Sequence, residues 1–364
     1  MTQFIESFAT QQLLPPWKAK GAQTAGFAIR LTEDRIRDYL ASYFNGGYPD
    51  AAPFHYSPLP GPQFGLLTTC YFPDVGSTSP QAAMHGPSQA SWDRLSHTEV
   101  YLAFPVIRHE VTKDNLLKDG PGKQVWVQPF MYSDNDSVVF SSREIWGTDT
   151  FLADIVREEG PAPGQLHFDA GMVGIKTFSP RSVSETLAIL HITTGGVDPL
   201  GAQKRLKANP DLRAFMKTLG VSGDFMEEVQ EGLRKSDYPG LEVNNLKQFR
   251  DCYDMGQAIY RAIVASKAIH SEIDNVVFYD PARVEIAFMW SDSIAEMLRT
   301  LLDAQKPNDT GPPAMHDPTG PASAADAMDW DMDRVVVKAE FGFSFTSNVT
   351  FEVISTLHTY GMTV

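Results

Sequence analysis

The chain has 364 residues, of which 43% are hydrophobic, so it can bury one large core or two smaller ones. It carries 45 acidic against 30 basic side chains, and the resulting net charge of −15 repels a phosphate backbone. No basic stripe interleaved with aromatic residues offsets that charge. We therefore expect no nucleic-acid partner.

The sequence also lacks the signals of a membrane or secreted protein. No stretch approaches the ~20 apolar residues that cross a bilayer, and residues 1–16 have neither a basic region nor a long apolar run. Two cysteines, Cys70 and Cys252, are too few for a disulfide framework. We expect a cytoplasmic protein without a membrane partner that acts on, or binds, a small molecule.

The first part of the chain predicts an extended arm, one helix and two strands. Pro15-Pro16 keeps the arm out of a helix. The helix follows Thr32 as its N-cap and carries apolar residues at i, i+3, i+4 and i+7. In chain order the elements are the arm 1–26, strand Phe27–Leu31, the helix from about Glu33 to Asn45, a loop over 46–64, strand Phe64–Phe72 and a loop over 73–92.

From Thr98 to Thr193 the pattern is β. The apolar segments are short, rich in β-branched and aromatic residues, and separated by turn dipeptides such as Asn-Asp and Pro-Gly. Such spacing favours a barrel or a sandwich over alternating β and α units. The predicted strands are Thr98–Val111, Gln124–Tyr132, Ser137–Arg143, Gln165–Phe178 and Thr186–Ile192.

A helical insertion is predicted over residues 196–240. Asn209 is placed as an N-cap with Pro210 at the first helical position, and a second helix is expected around Phe225–Leu233. The segment Gln248–Ala265 fits a strand or a helix. The last predicted elements are strands Asn275–Tyr279 and Val284–Trp290, a helix Ser293–Leu302, a flexible loop 305–333 with a lid as the alternative, and strands Arg334–Phe345 and Val349–Leu357. We expect one domain over 1–364.

Two segments resemble the acetoacetate decarboxylase family. One is the run 125–147, which ends in Arg143-Glu144-Ile145-Trp146-Gly147, and the other is Thr98-Glu99 followed by a strand that ends Ala103-Phe104-Pro105-Val106. The resemblance implies a mainly β (α+β) fold, a closed antiparallel β-barrel or cone with peripheral helices. It also implies a homo-oligomer that needs no cofactor.

In that family the corner continues through a proline into paired lysines, the first of which forms a Schiff base with a keto acid. The matching positions here are Asp149, Thr150 and Phe151. Threonine cannot form an iminium, so the resemblance implies the family scaffold without its amine. The family's substrate arginine has no clear match here, since Gln23 or a neighbour falls in its place, and a further family acid falls near Thr68.

The polar residues of these segments form the predicted site. Glu99, a pocket acid in the family, lies within an apolar strand that suits a carboxyl group to proton transfer. We expect Arg143 to meet an anion or brace the corner, and Thr150 to donate a hydrogen bond. The predicted substrate-binding residues are Glu144, Thr148, Asp149, Tyr101, Tyr132 and Thr68. The alternatives are a structural Glu–Arg pair and a turn capped by Asp149 and Thr150.

Other chemistry has weaker support. Lys176 and Lys267 could replace the missing amine, although each is more typical of a solvated charge. His167-Phe168-Asp169 places two metal-ligand types on one strand face, but the sequence offers no third partner at a diagnostic spacing, so we expect no metal. No phosphate-binding glycine loop is present.

Two functional hypotheses follow. The first is an acetoacetate decarboxylase-like enzyme that performs lyase-type or hydratase-type acid–base chemistry on a small keto or carboxylic metabolite without a Schiff base. The second is a non-catalytic protein that binds an apolar acid or ketone. Fold similarity alone does not separate them, because function depends on the site.

Overall fold

The computed structural model describes residues 14–46, 53–79, 94–112, 117–174, 184–219, 240–250, 258–289, 301 and 334–360. Within these ranges the chain is mostly β. The strands are β1 (Trp17–Leu31), β2 (Phe54–Pro58), β3 (Gln63–Ser77), β4 (Arg94–Glu110), β5 (Lys123–Ser133), β6 (Thr150–Leu152), β7 (Asp154–Glu159), β8 (Leu166–Gly174), β9 (Glu185–Thr194), β10 (Leu241–Arg250), β11 (Ala258–Phe278), β12 (Val284–Met289), β13 (Arg334–Val337) and β14 (Ala339–Tyr360). The helices are α1 (Glu33–Tyr43), α2 (Asp136–Ser141), α3 (Pro199–Ala208) and α4 (Pro210–Thr218), with a π-helical turn at Ser142–Trp146 and a 3-10 turn at Pro281–Arg283.

The larger sheet closes on itself. Its strands follow the order β4-β3-β1-β14-β11-β10-β5, and pairing between β4 and β5 completes the ring, while β2 and β6 extend it. The predicted mainly β architecture with a closed sheet and peripheral helices is confirmed. β5 pairs in parallel with β10 and with β6, so the sheet is mixed.

A smaller antiparallel sheet, β13-β12-β9-β8-β7, packs against one side of the ring. The main core combines ring residues such as Phe27 and Leu102 with Phe168 of β8, Ile286 of β12 and Ile36 of α1. Each such buried side chain contributes roughly 1.5–3 kcal/mol. Since successive strand residues face opposite sides, the other face of the ring strands is left to line an interior space.

The predicted strand Ser137–Arg143 is wrong, because this segment forms α2 and the π-helical turn. Its Val-Val-Phe run suits a strand, but the Asn135 side chain accepts a hydrogen bond from the Val138 amide at 3.3 Å and starts a helix. Gly147, with φ of 70°, then ends the turn in the left-handed conformation. Local capping therefore overrides β propensity here.

Other boundaries also differ from the prediction. β1 begins at Trp17 inside the predicted arm, and β2 lies inside the predicted loop 46–64. The predicted final pair of strands is instead β13 in the small sheet and the single long β14 in the ring. Asn209 caps α4 as predicted, accepting from the Asp211 and Leu212 amides at 3.1 Å.

Several predicted features lie outside the described residues: the helix around Phe225–Leu233, most of the helix Ser293–Leu302, and the loop 305–333. Gln248–Ala265 lies partly outside them as well, and its described ends belong to β10 and β11. Among the described helices, none has the length and apolar character to span a bilayer.

Candidate functional site

A cavity of about 240 Å³ lies inside the ring, and all seven ring strands contribute to its wall. Strand pairing explains which side chains reach it, because directly paired residues point to the same face. One row across the sheet consists of Phe345, Thr24, Cys70 and Glu99. The next row consists of Phe343, Gly26, Thr68, Tyr101 and Met131.

The wall is largely aromatic. A Cβ on Gly26 would lie 2.8 Å from the Phe343 ring, so the glycine makes room for that ring. The aromatic residues that border the cavity are Trp17, Trp126, Trp146, Tyr101, Phe278, Phe343, Phe345 and Phe351. Such a wall favours a largely apolar ligand.

Helix α4 covers part of the cavity. Phe215 packs against Phe64 and Trp126, with ring centroids 5.3 and 5.9 Å apart, and Met216 and Leu219 contribute to the lining. The sequence predicted a helical insertion over 196–240 but assigned it no role. In the structure α4, the helix that Asn209 caps, forms part of the cavity wall.

Glu99 and His97 form a buried pair on β4. Their side chains lie on the same face because they are two residues apart in a strand, and the His97 Nε2–Glu99 Oε2 distance is 3.4 Å. Glu99 is 7% exposed and His97 is 4% exposed. The His97 ring also stacks on Phe72 at 4.8 Å. The pair is the main ionisable feature of the cavity wall.

Tyr101 continues the same face of β4. Burial, then the neighbouring Cys70 and Glu99, raise the pKa of its phenol well above the usual value. Burial likewise raises the pKa of the Cys70 thiol to about 12, with Glu99 as the second cause. At neutral pH Tyr101 is therefore a hydrogen-bond donor, and Cys70 is a protonated thiol that cannot act as a nucleophile.

Five buried polar atoms of the cavity wall have no hydrogen-bond partner among the described residues. They are Thr68 Oγ1, His97 Nδ1, Trp126 Nε1, Trp146 Nε1 and Asn245 Oδ1. The Asn245 amide nitrogen does have a partner, since it donates to Thr148 Oγ1 at 3.0 Å. A buried polar atom left unpaired costs about 1–3 kcal/mol, so these atoms are where polar groups of a ligand would bind.

The predicted site residues divide into two groups. Glu99, Tyr101, Thr68 and Thr148 border the cavity. The others, which lie outside its lining, are Arg143, Glu144, Asp149, Thr150 and Tyr132.

Tyr132 belongs to the main core, and Glu144 lies beside Lys247. Burial lowers the pKa of the Lys247 amine, and the Glu144 carboxylate offsets only part of this effect, so the pKa lies below its usual value. Thr150 is fully buried, and its hydroxyl donates to the Thr148 carbonyl at 3.3 Å.

We call Tyr43, Arg143, Asp149, Thr150 and Arg261 the corner cluster. The Tyr43 hydroxyl donates to Asp149 at 2.5 Å, and Arg261 donates to the Tyr43 carbonyl at 3.0 Å. Arg143 donates to the Thr150 carbonyl at 3.4 Å. These hydrogen bonds link residues of the cluster to one another, and none of the five borders the cavity.

Gln23 does not border the cavity either. Its side chain accepts a hydrogen bond from Arg157 Nη1 at 2.6 Å, and neither residue contributes to the lining.

Sequence reasoning missed the two histidines of the cavity wall, His97 and His270, and named Lys267 only as a weaker candidate amine. The alternation 97, 99, 101, 103 on β4 is the signal that would have identified His97. Lys267 and His270 fall on β11, part of which lay in the segment of unsettled period. His270 bonds to the Ser347 hydroxyl at 3.0 Å, and burial lowers its pKa to about 4. Lys176 lies outside the described residues.

Known proteins resemble this chain in structure rather than in sequence. No protein-family model matches the sequence, and a search of curated proteins gave no relative. Among solved structures, acetoacetate decarboxylase from Legionella pneumophila is similar, with 13% identity, a TM-score of 0.48 and coverage of 94% of this chain and 88% of that chain. The enduracididine biosynthesis enzyme MppR shows 10% identity, a TM-score of 0.46 and coverage of 96% and 92%.

An acetoacetate decarboxylase-like enzyme from Sphingomonas wittichii RW1 shows 9% identity, a TM-score of 0.45 and coverage of 95% and 96%. These names include the family that the motifs at 98–106 and 125–147 resemble. The identities are low, so the function is argued from the cavity itself.

Proposed function

We propose that the protein is an enzyme that performs acid–base chemistry, of the lyase or hydratase type, on a small keto or carboxylic metabolite. The observation that carries the proposal is the buried Glu99–His97 pair beside the Tyr101 phenol in a largely aromatic cavity. A carboxylate, a histidine and a phenol within one enclosed space are the groups that general acid–base catalysis uses.

Each group has a distinct task in the proposed reaction. Glu99 removes a proton from the carbon next to the substrate carbonyl, and His97 holds the carboxylate in place from 3.4 Å. Tyr101 donates a hydrogen bond to the oxygen on which negative charge develops, because its raised pKa keeps it protonated. The electrons of the enolate then expel a leaving group from the next carbon, and the proton now on Glu99 passes to that group; the reverse addition retraces these steps.

The cavity supports a small substrate with an apolar body. Its volume of about 240 Å³ and aromatic wall favour a compact carbon skeleton. The indole N–H groups of Trp126 and Trp146, which have no partner among the described residues, are donors suited to a carbonyl or carboxylate oxygen.

The proposal uses no Schiff base. Thr150 stands where the resemblance expects the reactive lysine, and it lies outside the cavity lining. Lys267 borders the cavity, but its strand partners are Glu242 and Glu352. Its side chain runs along Gly240, since a Cβ there would lie 2.9 Å from both Lys267 Cγ and Cε.

The test is proton exchange in deuterated water. A panel of 2-keto and 3-keto acids is incubated with the protein, and loss of the proton next to the carbonyl is followed by NMR. Wild type should accelerate exchange for at least one compound, and Glu99→Gln should slow it about 10²- to 10⁴-fold. Glu110→Gln, at the exposed end of the same strand, is the control and should exchange like wild type. Equal rates for Glu99→Gln and wild type would refute the role of Glu99.

Borohydride trapping tests the absence of an imine. With the same keto acids we expect no covalent adduct by mass spectrometry. An adduct that maps to Lys267 and disappears in Lys267→Arg would show that amine chemistry is used after all.

A second candidate function is a binding protein without turnover. The observation that favours it is the set of wall atoms that lack a hydrogen-bond partner in the described part of the chain, which a ligand can satisfy without reacting. In that case a keto or carboxylic acid would raise the melting temperature of wild type and Glu99→Gln alike, and no exchange would be seen for any compound.

A further inference from the structure

Three potential metal ligands meet on the outer face of the small sheet. His167 Nε2 lies 2.7 Å from Asp169 Oδ2, and His191 Nδ1 lies 2.6 Å from Asp169 Oδ1. The three ligand atoms lie within 4.8 Å of one another. We call His167, Asp169 and His191 the outer triad.

Strand geometry brings the triad together. His167 and Asp169 share one face of β8 because they are two residues apart. Asp169 pairs directly with His191 on β9, although 22 residues separate them in sequence. Leu166, Phe168 and Ala170, on the opposite face of β8, are buried in the main core and fix the strand in this orientation. The third partner that the sequence alone did not supply is therefore His191.

We propose that the outer triad binds a divalent transition-metal ion, with Zn²⁺ as the best match, through His167 Nε2, His191 Nδ1 and the Asp169 carboxylate. Two imidazoles and one carboxylate are a common three-ligand set for zinc, with bonds of about 2.0–2.2 Å. Ligand atoms of a tetrahedral ion then lie about 3.4 Å apart, so the present nitrogen–oxygen distances need to open by less than 1 Å.

The surroundings suit such a site. The ladder between β8 and β9 holds all three residues, so little ordering is needed on binding. Asp169 is 8% exposed, whereas the His167 side chain is 42% exposed, so an ion can enter past His167. Three protein ligands leave the fourth tetrahedral position to water. None of the triad borders the ring cavity, so the inference is independent of the proposed function.

Binding would require a change of tautomer at both histidines. At the present distances each imidazole nitrogen faces the Asp169 carboxylate as a hydrogen-bond donor, and a metal ligand must have a free lone pair. A neutral imidazole meets that requirement by carrying its proton on the other ring nitrogen.

The test is a titration of the full chain, stripped with a chelator, with zinc chloride in a calorimeter. We expect one saturable equivalent per chain. His191→Ala and Asp169→Asn should each weaken binding at least about 100-fold, because each removes a ligand. His109→Ala removes a strand histidine that bonds to Ser57 at 3.1 Å, and it should bind like wild type.

A second measurement separates loss of the site from loss of the fold. Each variant is melted without metal and with excess zinc. Wild type and His109→Ala should gain thermal stability with zinc, while the two triad variants should melt cooperatively and show no gain. No saturable binding by wild type, unchanged binding by both triad variants, or loss of binding in His109→Ala would each overturn the proposal.

Discussion

The corner cluster does not border the cavity, whereas Trp146 and Thr148 of the same corner do, and the polar groups of the cluster and of the cavity wall differ in their bonding. In the corner cluster Tyr43 bonds to Asp149, and Thr150 bonds to Thr148. In the cavity wall, by contrast, His97 and the indoles of Trp126 and Trp146 keep polar atoms without partners among the described residues. The bonds within the corner cluster brace the fold, and the wall atoms without partners among the described residues offer positions for polar groups of a ligand.

That contrast changes the interpretation of the sequence motif. The run that ends in Trp146-Gly147 resembles a catalytic signature, yet Thr150 and Asp149, just beyond it, belong to the corner cluster. The corner places Trp146 and Thr148 in the cavity and turns the following residues away from it. The motif therefore contributes Trp146 and Thr148 to the cavity wall, whereas Asp149 and Thr150 stabilise the corner.

The largest loss of stability should come from Gly147→Ala, because Gly147 lies between the cavity residues Trp146 and Thr148 and next to the corner cluster. Gly147 has φ of 70°, and a Cβ there would lie 2.7 Å from Lys247 Cβ and 3.0 Å from its backbone nitrogen. The left-handed conformation costs an alanine roughly 1–2 kcal/mol, and the crowding adds about as much, so we expect a loss of about 3 kcal/mol in urea unfolding.

Gly61→Ala is the matched control for that prediction. Gly61 has φ of 93°, but a Cβ there would meet no atom within 4 Å. It should therefore show the conformational cost without the crowding. Equal losses for the two variants would mean that the approach of Lys247 to the corner is unimportant.

The second prediction concerns acid stability of the cavity side. His270 has a pKa lowered to about 4 by burial, against about 6.5 in an unfolded chain. As the pH falls, this imidazole is protonated first in the unfolded chain, near pH 6.5. Protonation favours the unfolded state, so the free energy of unfolding decreases as the pH falls from 6.5 towards 4. The difference in pKa is worth at most about 3.4 kcal/mol, and partial exposure of the ring to the cavity reduces it to about 2 kcal/mol.

His270→Gln should therefore flatten the acid limb of stability measured between pH 7 and pH 4.5. The glutamine can keep a hydrogen bond to Ser347. His109→Gln is the control, because His109 lies near the end of β4 and does not border the cavity; this variant should retain the acid limb. A steep limb in His270→Gln would assign the acid sensitivity to other groups.

The third prediction compares two tyrosines of α1 that stack at 5.3 Å. The Tyr43 hydroxyl donates to Asp149, whereas the Tyr39 hydroxyl has no partner among the described residues. Tyr43→Phe should cost about 1.5 kcal/mol, because a hydrogen bond to a charged group is lost. Tyr39→Phe should be neutral, and exchange activity should be unchanged in both. A loss of activity in Tyr43→Phe with the fold intact would bring the corner cluster back into the site.

The sequence predicts the outline of this structure better than its site. β4 was predicted because residues 100–107 form a continuous apolar run, and Glu99 was identified through the family resemblance of the segment 98–106. His191 and Asp169 were not connected, because strand register over 22 residues is set by the whole small sheet and not by local pattern. The segment Ser137–Arg143 failed for a different reason, since a cap from Asn135 outweighs a β-branched run.

The smallest expected change in stability comes from two threonines, which test most directly whether the polar groups of the cavity wall bind a ligand. Thr68 and Thr69 are adjacent on β3 and both are buried, but Thr68 borders the cavity and Thr69 does not. The Thr69 hydroxyl has no partner among the described residues, so Thr69→Val should leave the melting temperature unchanged or raise stability by up to about 1 kcal/mol. Thr68→Val should be equally tolerated by the fold but should weaken ligand-induced stabilisation several-fold, because it removes a polar group from the wall. If the two variants respond to ligand alike, the polar groups of the wall do not recognise it, and binding rests on the aromatic surface alone.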